Sequence, residues 1–130
     1  MAKATLKRSK KTRKLVPEVM VSITATLNNT HVVISDLEGQ VLTWATGGTA
    51  GFKGAREATP YAAQITSEQA AEKAKTLHGV EKAQVYIRGI GAGREQAIRG
   101  IANAGVEIMG IFDLTPVPHN GCRRRKARSL

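Results

Sequence analysis

At 130 residues the chain can build one hydrophobic core, and its formal net charge of +10 marks it as a binder of anions. The lone Cys122 rules out an intrachain disulfide and fits a reducing compartment. No stretch approaches the roughly 18 apolar residues of a membrane span, and the basic N-terminus runs into Pro17 and Glu18 without signal-peptide character.

The first element in chain order is a cationic arm, residues 1–14. It holds seven bases (Lys3, Lys7, Arg8, Lys10, Lys11, Arg13 and Lys14) and no acid. A matching tail, residues 119–130, holds five more (Arg123, Arg124, Arg125, Lys126 and Arg128), again without an acid. All ten acids lie in residues 15–118, against eight bases. Blocks of like charge repel one another and cannot bury surface, so a polyanion is the expected partner, nucleic acid ahead of an anionic membrane. A 14-residue arm reaches about 45 Å when extended at about 3.3 Å per residue, whereas a body of this size has a radius of gyration of about 13 Å.

Between the arms, residues 19–27 alternate Val19, Val21, Ile23, Ala25 and Leu27 against polar or smaller partners, the period of a half-buried strand. Asn28-Asn29 turns into a second strand over 31–36, and Glu38-Gly39 turns into a third over 41–46, giving an antiparallel meander. Residues 47–59 form a loop with four glycines that carries Lys53 and Arg56; loops of that length are functional or disordered. Thr59-Pro60 starts a helix whose stripe is Ala63, Ala70, Ala74 and Leu77, ending at Gly79. A strand over 83–88, a glycine loop over 89–93, a second helix through Ala97, Ile98, Ile101 and Ala104, and a last strand over 106–113 complete the body.

The order β-β-β-α-β-α-β, with two right-handed crossovers, predicts a single α/β domain with a mixed five-stranded sheet covered by both helices on one face. The other face would carry Ser22, Thr24, Thr26, Gln84, Tyr86 and Arg88, polar enough for water or RNA. Five aromatic residues scattered along the chain do not read as a platform for stacking successive bases, so recognition of phosphate and of RNA shape is the expectation.

Candidate chemistry is sparse. The loop Gly89-Ile90-Gly91-Ala92-Gly93 stands between a strand and a helix, where backbone N–H groups could cradle a phosphate. It lacks a dinucleotide or P-loop spacing, and a tight turn needing positive φ explains it equally. Arg94 in the first helical turn opposes the helix dipole unless an anion sits nearby. Asp36, Glu68 and Asp113 are single acids suited to capping or solvation, not to a two-metal nuclease. His119 and Cys122 fall short of a zinc set, so no metal, cofactor or catalytic residue is expected. Asn120-Gly121 is a turn dipeptide and a candidate for isoaspartate formation. Arg88 on the open face and Arg99 on the second helix join the loop and arm cations as expected RNA contacts.

Taken together, Asn28-Asn29-Thr30 with Asp36 and Gly39, the run WATGGTAGFKGAREATPYAAQ over 44–64, residues 89–95, and DLTPVPHNGCR over 113–123 resemble the small-subunit ribosomal proteins numbered eleven, of bacterial or organellar type. The likeness runs in unbroken order over residues 19–123. It implies a ribonuclease H-like fold without nuclease carboxylates, and a non-enzymatic place in the ribosome. There the family bridges 16S-type rRNA helices on the platform near the Shine-Dalgarno cleft, beside small-subunit proteins seven and eighteen, with initiation factor three nearby and no homo-oligomer. By motif it assigns Lys53, Arg56, Arg94, His119, Asn120 and Arg123 to rRNA-facing positions. Ile90, Ala92, Arg124 and Arg125 stand where the family commonly has prolines, exchanging stiffness for reach and charge. Two rivals follow from the residues alone: a basic protein that coats nucleic acid without specificity, and a nuclease of the same fold.

Overall fold

The computed structural model describes residues 15–129. Its order is β1 (Glu18–Ala25), β2 (Thr30–Ser35), β3 (Val41–Thr46), a short 3-10 turn (Gly54–Ala58), α1 (Pro60–His78), β4 (Lys82–Gly89), α2 (Arg94–Asn103) and β5 (Glu107–Asp113). The five strands lie in the order β3-β2-β1-β4-β5. β1 is antiparallel to β2, β2 to β3, while β1–β4 and β4–β5 are parallel. This is the mixed single-domain α/β sheet expected from the element order.

β1 is the central strand, and its alternation serves the one covered face. Val19, Val21 and Ile23 are packed in the core with Val32, Ile34, Val85 and Ile87 from the flanking strands, and Ala25 is buried too. Each such large side chain contributes about 1.5–3 kcal/mol by leaving water. The strand stops at Ala25, two residues earlier than the alternation implies. Thr26 donates its backbone N–H to the Asn29 carbonyl at 2.8 Å, and its Oγ1 accepts from Asn29 N–H at 3.0 Å, so the chain turns there and leaves Leu27 exposed.

α1 begins as the sequence indicates, with Thr59 Oγ1 accepting the Ala62 N–H and Pro60 in the first turn, and ends at Gly79 with φ of 63°. Its buried arc is wider than the expected stripe: Ala62, Thr66, Ser67 and Ala71 are buried too, while Leu77 is only partly covered and His78 is buried. The helix is wedged between the sheet and α2, so two flanks are covered rather than one. Thr66 and Ser67 are tolerated because their hydroxyls donate to carbonyls of their own helix, Ala62 and Gln64, at 2.7 and 2.9 Å. At the crossing, a Cβ on Gly100 would overlap Ser67 Oγ and lie 2.6 Å from the Gln64 carbonyl oxygen, so only glycine lets α2 approach this closely.

Candidate nucleic-acid interface

Strand register places Lys53, Arg56, Arg88 and Arg94 at one end of the sheet. Ala25 pairs with Thr30 and with Gly89, His31 with Thr46, and Ile87 with Asp113. The β1–β2 turn, the 47–59 loop, the glycine loop and the start of the C-terminal tail therefore share that end. Lys53 and Arg56 are exposed there, Arg56 within the 3-10 turn. The loop is held rather than loose: Gly47 N–H donates to the Thr30 carbonyl and to Asn29 Oδ1 at 3.2 and 3.1 Å, and Phe52 packs edge-on against Tyr61 at 5.8 Å. Arg88 is exposed at the same end of β4, and Arg99 is exposed on α2, about a turn and a half beyond Arg94.

Within the glycine loop the positive-φ turn reading holds for Gly89 alone, and close packing accounts for Gly91 and Gly93. Gly89 has φ of 100°, and a Cβ there or on Gly91 would collide with the end of β1, whose Ala25 carbonyl accepts the Gly91 N–H at 2.9 Å. A Cβ on Gly93 would lie 2.6 Å from both Ala63 Cβ and Thr30 Oγ1. Arg94 has its anion inside the chain: a guanidinium nitrogen donates to Asp113 Oδ2 at 2.6 Å. The dipole argument for a phosphate beside Arg94 is thus met by Asp113. Asp113 Oδ1 also accepts from the Thr115 hydroxyl and, at 2.9 Å, from Thr115 N–H. Those Thr115 bonds first, then Arg94, hold its carboxyl down at about 2.

From Leu114 onward the described chain has no helix or strand, and nearly every residue is exposed, including His119, Asn120, Arg123, Arg124, Arg125, Lys126 and Arg128. Asn120 takes a φ of 52°, as a turn residue can. Lys3, Lys7, Arg8, Lys10, Lys11, Arg13 and Lys14 lie outside the described residues. Their point of attachment does not: Val16 N–H donates to the His78 carbonyl at 2.9 Å, which roots residue 15 at the opposite end of the sheet from the tail. That end carries Glu18, Asp36, Glu38, Glu81 and Glu107. Asp36 is a turn cap, its Oδ1 accepting Glu38 N–H and Gln40 N–H at 3.0 and 2.8 Å.

Residues 19–129 match the profile of ribosomal protein S11. The chain belongs to the ribosomal protein S11 family. It is 49% identical over 129 residues to the small ribosomal subunit protein uS11 of Borreliella burgdorferi (strain ZS7), covering 99% of this chain and 98% of that protein. To its counterpart in Aquifex aeolicus (strain VF5) it is 47% identical over 117 residues, 90% of this chain and 93% of the relative. Like the rest of the S11 family it is a structural, non-enzymatic ribosomal protein. Asp36 and Asp113 cap turns at opposite ends of the sheet, and Glu68 accepts from Gln64 Nε2 on α1 at 3.2 Å. No described helix is long and apolar enough to cross a membrane.

One feature of this S11-family chain escaped sequence reasoning. Register runs Trp44↔Val33↔Ser22↔Tyr86↔Phe112 across all five strands, on the face no helix covers. Three of the five aromatics thus share one row, and Tyr86 and Phe112 stack with ring centroids 5.2 Å apart and planes 20° apart. Scatter along the chain concealed this, because each residue comes from a different strand. Parity was a usable signal for Trp44 and Tyr86, which fall out of phase with the core positions of their strands and of which Tyr86 was expected on this face. Phe112 is in phase with the core-packed Ile108 and reaches the open face only through the register shift between them, which no spacing in the sequence announces.

Proposed function

We propose that this S11-family protein binds 16S-type rRNA and bridges its helices on the small-subunit platform near the Shine-Dalgarno cleft, chiefly through phosphate contacts made by its basic arms and loops. The observation that carries this reading is the rooting of two acid-free cationic segments at opposite ends of a rigid sheet. One body thereby aims charge in two directions and lowers the repulsion between RNA helices that converge on it. The relatives' naming as small-subunit proteins supports the location. Lys53, Arg56, Arg88 and Arg99 extend the contact over the body, and Arg94 offers phosphate only the guanidinium N–H groups that Asp113 leaves. Its neighbours would be small-subunit proteins seven and eighteen, with initiation factor three nearby.

The test is a salt titration of the full chain against a 16S-type platform RNA fragment. With about 6–10 phosphates engaged, affinity falls by about 10³–10⁵ between about 50 and 200 mM salt. An affinity indifferent to salt contradicts the reading, as does failure of the chain to sediment with small subunits.

A further inference from the structure

We propose that the uncovered sheet face is a second RNA site, one for unpaired nucleotides: bases stack on Phe112 and Tyr86 at its β5 side and on Trp44 at its β3 side, and Arg88 takes a phosphate between them. The inference rests on the reading of the protein as an RNA binder and adds a surface distinct from the arms.

The aromatics are available. Trp44 is 56% and Phe112 47% exposed, and Tyr86 is half-buried with its ring already parallel to that of Phe112, a stack that a base can extend. The floor between them is mixed, with apolar Val33 and Met20 and a buried Ser35 beside accessible polar groups of Ser22, Thr24, Gln84 and His31. Ser22 lies between Val33 and Tyr86 in the aromatic row, and the rows on either side run Ser35↔Met20↔Gln84 and Thr46↔His31↔Thr24↔Arg88. Hydroxyl, amide and imidazole groups there can hydrogen-bond base edges, whereas an apolar protein surface would leave them unpaired. Charge points the same way: across these three rows the only formal charge is the cation Arg88, so a polyanion meets no carboxylate. Strand spacing of about 4.8 Å puts Trp44 and Tyr86 about 14 Å apart, a width suited to the two or three bases that other sheet-based RNA modules stack.

Trp44 is the chain's one tryptophan, so its emission reports on this face alone. The full chain is titrated with single-stranded octaadenylate and with a blunt A-form RNA duplex, binding being followed separately by anisotropy of labelled RNA. Octaadenylate is expected to quench Trp44 saturably, the duplex to bind without quenching, and Phe112→Ala to weaken octaadenylate about tenfold. Phe112→Tyr should restore the affinity. Phe112 lies exposed on the edge strand, so its truncation spares the core, and an unchanged circular dichroism spectrum verifies this. Binding of both RNAs with no change in Trp44 emission, or an Ala variant equal to wild type, overturns the stacking face and leaves the arm-mediated reading intact. If neither RNA binds at low salt, the arm-mediated reading falls as well.

Discussion

Asp113 joins the last strand to the tail by holding Thr115 with one carboxylate oxygen and Arg94 with the other. Its folded carboxyl titrates at about 2, below the ordinary 3.8, so these bonds favour the folded junction at every pH above 3.8 and are lost as pH falls through about 2. NMR titration of the Asp113 carboxyl should therefore show a midpoint near 2. Thr115→Ala, which removes the hydroxyl bond but keeps the backbone N–H bond, and Arg94→Ala, which removes a hydrogen bond and a charge, should each raise it; a midpoint unmoved in both would contradict this account. Thr30 gives a second residue-scale expectation. Its hydroxyl is buried with no partner among the described residues, so Thr30→Val should leave the protein as stable or stabilise it by about 1 kcal/mol in urea unfolding. Sequence made Arg94 readable as a cation needing an anion, but its anion stands 19 residues away, and only the β4–β5 pairing brings it there.

Among the elements, strands were legible and the helix contacts were not, for a physical reason. β1 faces one layer, so Val19, Val21 and Ile23 show plain alternation. α1 faces both the sheet and α2, and it meets them with Ala62, Ala63, Thr66, Ser67, Ala70 and Ala71, whose small or polar side chains give little apolar contrast. Capping, by contrast, is local chemistry, and Thr59-Pro60 and Gly79 marked the helix ends correctly. The close crossing makes its own prediction. Gly100→Ala should cost about 1–3 kcal/mol by overpacking, and adding Ser67→Ala should recover only part of it, because the Gln64 carbonyl still meets the new Cβ. Full recovery in a double-mutant cycle would show that Ser67 alone sets the spacing.

At the scale of the molecule, charge and topology act together. Parallel pairing of β1, β4 and β5 sends the C-terminal segment off the end where Lys53, Arg56 and Arg88 lie, while the N-terminal segment attaches beside Glu18 and Glu81. Eight residues of β1 at about 3.3 Å each hold those two roots about 26 Å apart. That span exceeds the Debye length of about 8 Å at physiological salt, so charges at the two roots do not share one field, and on the proposed reading the two segments would engage separate stretches of RNA. Deleting residues 124–130 should leave the circular dichroism spectrum and the unfolding midpoint unchanged, because the described residues of that segment, 124–129, contribute nothing to the core, yet lower incorporation into small subunits. Chemical probing of the reconstituted subunit then separates bridging from simple adhesion. Loss of 1–14 and loss of 124–130 should each unprotect a different RNA segment, and the double deletion should unprotect both. If the two truncations expose the same nucleotides, the ends serve a single contact and the sheet's length has no part in joining helices.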